Sequence, residues 1–145
     1  MSDNGSQLKH LVLAPYILKA TALIGVERLV GGNAFRHAMA TFAICLDYKY
    51  FNHSVLLKAS IIHDLIEDIP STNIHELRAI DSEANQVVDL VLEVSRKKEQ
   101  TKIQYLNELK QNWSFDAKIL KVADRISNLT DLNRDIYSDS KIVDY

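Results

Sequence analysis

The sequence predicts an all-α, single-domain helical bundle over residues 1–145, and three observations carry that expectation. Glycine and proline are scarce, four and two respectively, so few positions interrupt a helix. Apolar residues recur three and four apart, the helical period, while short alternating runs of the strand type are hard to find. No internal repeat, linker or low-complexity block divides the chain, whose length suits one domain with a real core.

A first helix is expected from Gln7 to Leu29, bent near Pro15 and stopped by Gly31-Gly32. Asn33 is placed to cap a second helix running to about Lys49. Asn52 or Ser54 caps a third, Val55–Glu67, which the Ile69-Pro70 step ends. Ser71-Thr72-Asn73 starts a short helix near Ile74–Ile80. Asp81 or Ser82 opens the next, with Val87, Val88, Val91 and Val94 on one face. The charged stretch Arg96–Lys102 leads into a helix near Ile103–Gln111. Ser114 caps the last strong helix, whose apolar face is marked by Phe115, Ile119, Val122, Ile126 and Leu129. From Asp135 to Tyr145 the pattern is weak.

Composition narrows the function. Apolar residues make up 47% and charged residues 25%, an ordinary globular balance. A net charge of −2 supplies no overall basic field, so neither nucleic acid nor an anionic membrane is an expected partner. Cys45 is the single cysteine, which excludes an internal disulfide and a thiolate cluster; within the apolar run Met39–Leu46 it reads as a buried structural thiol. The apolar stretch Leu11–Val26 is interrupted by Pro15 and Lys19, is too short to span a bilayer and lacks the flanks of a signal peptide. A cytoplasmic protein is the expectation.

The chemistry concentrates in Ile61-Ile62-His63-Asp64-Leu65-Ile66-Glu67-Asp68. On a helix His63 stacks with Glu67, and Asp64 with Glu67 and Asp68, which crowds three carboxylates and an imidazole onto one otherwise greasy helix. Unpaired charge beside a core is costly, and a divalent cation converts that repulsion into coordination. His37, early in the second helix, and Asp124, inside the last one, can complete such a site. Imidazole and carboxylate ligands without sulfur suit Mn²⁺, Fe²⁺ or Zn²⁺ better than Ca²⁺. Taken singly, His37 reads as a capping or surface residue, Asp124 beside Arg125 as an intrahelical charge, and Glu67 and Asp68 as solvated acids. The joint pattern is what points to a metal.

That pattern, His37 … His63-Asp64 … Asp124, resembles the HD-domain superfamily of metal-dependent phosphohydrolases. The longer string His63-Asp64-Leu65-Ile66-Glu67-Asp68 and the segment Lys121-Val122-Ala123-Asp124-Arg125-Ile126-Ser127-Asn128-Leu129 are similar to the two hallmarks of the RelA/SpoT-type hydrolase domain. They are nearest in pattern to its stand-alone small alarmone hydrolases, and Val91–Ser95 is similar to a third segment. The resemblance runs from about Arg28 to Arg134. It implies an all-helical fold and one divalent ion, usually Mn²⁺, on His37, His63, Asp64 and Asp124. It also implies hydrolysis of the 3′-pyrophosphate of guanosine tetra- or pentaphosphate.

By the same resemblance Glu67 is the principal base and Asp68 positions the attacking water. The resemblance also implies that Arg28 and Asn128 contact the nucleotide, with Arg125 touching substrate or bracing Asp124. Lys98, with Lys97 and Lys102, reads either as a basic cluster able to neutralise phosphate or as a solvated loop. The chain departs from the family pattern at Leu29 and Val30, at Ala38, and at Asn33-Ala34, all near the expected nucleotide pocket. The family's last helices are shortened, so a second copy in a homo-oligomer could complete the pocket. His53 and His75 read as surface residues rather than a second metal site. Two rival readings stand beside the first: an HD-type phosphatase acting on a nucleoside monophosphate, a deoxynucleotide or NADPH, and a helical binding module without turnover.

Overall fold

In a computed structural model of the chain, residues 10–132 and 136–144 are described. Helices are α1 (Ala14–Ala20), a 3₁₀ turn (Thr21–Gly25), α2 (Ala34–Asp47), α3 (Ser54–Ile62), α4 (Leu65–Asp68), α5 (Ile74–Arg78), α6 (Ala84–Val94), α7 (Lys102–Asn112), α8 (Phe115–Thr130) and α9 (Asp139–Asp144). Among the described residues there is no strand beyond one isolated bridge, so the all-α expectation holds.

The organising element is α3. Every residue from Leu56 to Ile62 is buried, so this largely apolar helix is enclosed on all sides, with Lys58 and Ser60 its two polar members in that span. It packs against α1, α2, α6 and α8. The core so formed includes Leu23, Leu56, Leu57, Ile61, Ile62, Val87, Val88, Val91 and Leu120. Because α3 is central, its C-terminal end delivers the next two residues, His63 and Asp64, into the interior between α2 and α8.

Among the described residues, side-chain caps set four of the helix starts. Asn33 accepts a hydrogen bond from the Arg36 N–H, Asn73 from those of His75 and Glu76, and Ser114 from that of Ala117. Thr101 and Gln104 form a reciprocal capping box on α7.

Other boundaries correct the sequence reading. The expected helix Gln7–Leu29 is not continuous. Its residues up to Lys9 lie outside the described residues, and Pro15 stands in the first turn of α1, where its missing N–H removes no helical bond. After the 3₁₀ turn the chain extends, pairs Glu27 with Asn33 and reverses through Gly31 and Gly32 at φ of +86° and +78°. A Cβ on Gly31 would also stand 2.6 Å from the Arg36 guanidinium and 2.7 Å from the Asp131 carboxylate. The expected helix Val55–Glu67 breaks at His63-Asp64, so the four acid and imidazole groups do not share one regular helical face. Neither Asn52 nor Ser54 caps α3; Ser54 is its first residue and donates to Glu83 instead. Asp81 and Ser82 lie ahead of α6, whose N-cap is Glu83. In α8 the stripe holds only in part: Ile119 packs against the core and Ile126 is half-buried, but Phe115, Val122 and Leu129 are exposed, while Ala117, Leu120, Ala123, Asp124 and Ser127 face inward. The weak segment at the end contains the short helix α9, its bounding Asp135 and Tyr145 lying outside the described residues.

One buried charge is part of the scaffold. Lys58 Nζ, inside α3, donates to Asp81 Oδ2 at 3.0 Å and Glu83 Oε2 at 2.8 Å, and Tyr16 OH donates to Asp81 Oδ1 at 2.8 Å. Burial alone would lower the Lys58 pKa, but its bonds to Glu83 and Asp81 win and raise it. Burial likewise pushes Asp81 up, and its bonds from Lys58 and Tyr16 overturn that to hold it below the usual range; the Lys58 bond holds Glu83 down. Depressed carboxyl values stabilise the fold above their ordinary pKa of 3.8 and 4.5, and that stability is lost as pH falls through the folded values. The raised Lys58 contributes below 10.5, and its share is lost as pH rises through the folded value. Lys58→Met is therefore expected to lower stability at neutral pH by roughly 1–3 kcal/mol and to flatten the acid limb of the stability profile. Urea unfolding across that limb checks both; an unchanged acid limb would remove the cluster from the account. Among the described residues no helix is long and apolar enough to cross a membrane.

Candidate metal centre

The end of α3 sets up the first ligand. The Ser60 carbonyl lies in the last turn, among carbonyls that have no partner further along the helix. His63 Nδ1 donates to it at 2.7 Å, and since a carbonyl only accepts, Nδ1 carries the hydrogen. The other nitrogen, Nε2, is buried without a hydrogen-bond partner. Asp64 Oδ2 and Asp124 Oδ1 stand 3.3 and 3.4 Å from it, near enough to attract a charge but not aligned to accept a hydrogen bond. A buried imidazole nitrogen facing two carboxylates is a place for a cation.

His37, in the first turn of α2, arrives from the opposite wall. Its Nδ1 is 2.8 Å from Ser127 Oγ, and its Nε2 is 2.8 Å from Asp124 Oδ1 and 3.4 Å from Asp64 Oδ2. The two imidazole rings stand 5.4 Å apart, and His37 and His63 are 1% and 4% exposed. One donor atom from each of His37, His63, Asp64 and Asp124 lies within 4.8 Å of all the others, and the group could hold a metal ion. Bonds of about 2.0–2.2 Å to a shared ion at right to tetrahedral angles separate adjacent donors by roughly 2.8–3.6 Å. The observed contacts of 2.8–3.4 Å fit that spacing.

The electrostatics agree. Burial would raise Asp124, but the bond from His37 and the adjacent imidazole of His63, then the charges of His63 and Lys121, hold its carboxyl far below the usual range. Asp64 is lowered in the same way, burial being outweighed by His63. For His63 itself burial opposes the charged form, yet Asp64 and Asp124 lift its pKa well above the ordinary value. Both carboxylates are thus ionised, and a proton or a metal ion competes for Nε2.

The remaining expected site residues do not all share one place. Glu67 lines a cavity of about 280 Å³ together with His63, Asp64, Lys102, Tyr105 and Asp124, and its Oε1 accepts a 2.6 Å bond from the Arg96 N–H. Desolvation raises its pKa, the Arg96 bond opposes and the Asp64 charge reinforces the rise. Asp68 is exposed and is not among the residues lining that cavity; its carboxyl is raised by desolvation and by Asp64. Arg28 and Asn128 meet: the guanidinium donates to Asn128 Oδ1 at 2.8 Å, and Asn128 Nδ2 donates to Asp124 Oδ1 at 3.3 Å. Arg125 lines the cavity. Lys98 is the correction. It lies with Lys97, Glu99, Gln100 and Gln104 along a separate exposed groove, because the loop 96–101 carries it away from the ligands, whereas Lys102, in the first turn of α7, reaches the cavity.

Sequence reasoning passed over Lys121, Ser127 and Lys141. Lys121 Nζ donates to Asp124 Oδ2 at 2.7 Å, Ser127 holds His37, and Lys141 reaches the cavity from α9. The first two were findable, since positions three before and three after Asp124 share its helix face. Cys45 is buried, and burial pushes its thiol up to about 11, as a structural role requires. His75 is exposed, and half-buried His53 pairs with Asp116 at 3.0 Å. No protein-family model matches the chain, and no curated protein matches it.

Proposed function

We propose that the protein is a metal-dependent phosphohydrolase that removes the 3′-pyrophosphate from guanosine tetra- or pentaphosphate. The observation that carries the metal part is the orphaned Nε2 of His63, buried against two ionised carboxylates with His37 closing the ring. Mn²⁺ suits two imidazoles and two carboxylates, with Fe²⁺ and Zn²⁺ as alternatives. When bound, the ion supplies an acidified water and a positive charge for a phosphoryl oxygen.

The chain's own groups provide the rest. Glu67, in the cavity beside the ligands and with a raised pKa, accepts the proton of the attacking water, and Asp68, close enough to feel the Asp64 charge, orients it. Lys102, Lys121, Arg125 and Lys141 line the same cavity, a basic wall for the phosphate end of a substrate. Arg28 and Asn128 sit on the far side of Asp124, where a nucleoside would lie. The guanosine assignment rests on the resemblance of His63–Asp68 and Lys121–Leu129 to the alarmone hydrolases.

A second reading has one observation in its favour. Leu29 is 67% exposed next to Arg28, where the family pattern has a polar or basic residue, and this suits another nucleotide or a phosphorylated cofactor such as NADPH. The test is turnover of guanosine tetraphosphate by the Mn²⁺-loaded protein, with product analysis beside a panel of nucleoside monophosphates, deoxynucleotides and NADPH. Guanosine diphosphate and pyrophosphate are the expected products. Orthophosphate from a panel member, with guanosine tetraphosphate untouched, would replace the substrate; an ion-loaded protein that turns over nothing would make it a binding module.

A further inference from the structure

Lys121 is outside the four-ligand set, yet it fixes how one ligand is presented. Its Nζ donates to Asp124 Oδ2 at 2.7 Å, while Oδ1 of the same carboxylate faces His37 Nε2 at 2.8 Å and His63 Nε2 at 3.4 Å. The side chain is only 24% exposed and runs along a wall, with Nζ 5.3 Å from the centre of the Tyr105 ring. That ring is itself anchored, its hydroxyl donating to the Val94 carbonyl at 2.6 Å. Residues 121 and 124 stand one turn apart on α8, so the backbone keeps the ammonium and the carboxylate in register.

We propose that Lys121 is a positioning residue: it occupies the outer oxygen of Asp124, limits that carboxylate to one bond to the ion and keeps a coordination position open toward the cavity. The inference rests on the metal reading above. A carboxylate with both oxygens free can bind an ion through both, and a second bond from Asp124 would fill a position that water or a phosphoryl oxygen needs. The ammonium also draws on the carboxylate's charge and repels the ion. Both effects weaken the hold on the metal, in exchange for an open site.

Removing the charge is therefore expected to tighten metal binding while slowing the reaction, the opposite of what loss of a merely structural contact does. Lys121→Met keeps an unbranched stem against Tyr105 and loses only the ammonium. By titration calorimetry with Mn²⁺ alone it is expected to bind about 10-fold tighter or more, with turnover falling by about 10–100-fold, the scale on which such neighbours act. In the Co²⁺-substituted protein the visible absorption is expected to weaken as the coordination number rises. Lys121→Arg, which keeps the charge and the donor, is expected to restore affinity and spectrum, and Lys121→Gln gives the same direction as Met should the latter not fold. Unchanged or weaker Mn²⁺ binding by the uncharged variants, or an unchanged Co²⁺ spectrum, overturns the inference and leaves the metal centre standing. A wild-type protein that takes up no ion overturns both.

Discussion

His63→Ala is expected to purify without a bound transition metal and to lose the proposed hydrolysis by about 10³-fold or more, because the acidified water and the charge for the phosphoryl oxygen depart together. The variant should still fold. His63 follows the last residue of α3 rather than lying within it, and the core residues Leu56, Leu57, Ile61 and Ile62 are untouched. Thermal unfolding separates the two effects. An ion at about 100 times its Kd stabilises a protein that binds it only when folded by about 2.7 kcal/mol. Wild type should show that shift with Mn²⁺, and lose it to a chelator, while His63→Ala should show none. Uptake also has a direction with pH. In the metal-free site Asp64 and Asp124 keep a proton on His63 well above the ordinary imidazole pKa, although burial resists it. The ion must displace that proton, so affinity falls as pH falls and uptake releases acid. An alanine variant that retains the wild-type metal content would take His63, and with it the argument from its orphaned nitrogen, out of the site.

The candidate ligands were legible where the sequence carries a local signal: Asn33 announces the helix of His37, and Ser114 that of Asp124. Both caps form as the residue types demand. What could not be read was the break after Ile62. The backbone of His63 and Asp64 stays close to helical dihedrals, so nothing in the apolar period marks the end of α3. The break nonetheless matters more than the period, since it leaves the Ser60 carbonyl to fix the His63 ring. The apolar stripe of α8 misled for a related reason. Apart from Leu120, its inward face is built of Ala117, Ala123, Asp124 and Ser127, small or polar residues that admit α2 and α3 closely and carry the candidate ligand and its partner. Large residues such as Phe115 and Val122 are left outside. Lys98 shows the limit of reading charge by proximity in sequence: only three residues separate it from Lys102, yet only the latter turns into the cavity.

Glu67→Gln is expected to keep the ion and lose the reaction. The amide has the shape of the carboxylate and its oxygen can still accept from the Arg96 N–H, so the loop 95–101 and the four ligands should hold their places. A glutamine cannot take a proton from water, and a positioned base contributes about 10²–10⁴-fold, so kcat should fall by that factor with metal content unchanged and KM little altered. The pH profile carries an independent signature. Desolvation and the Asp64 charge raise the Glu67 pKa toward the working range, against the pull of the Arg96 N–H. Wild-type kcat/KM should therefore decline as pH drops through that raised value, where the carboxyl becomes protonated and can no longer accept. In Glu67→Gln that acid limb should vanish from the residual rate. Asp68→Asn, altering a group that orients rather than accepts, should cost less and leave the limb in place. Should Glu67→Gln match wild type at every pH, the water attacks without help from this carboxylate. The raised pKa of Glu67 would then reflect only its partly desolvated place beside Asp64.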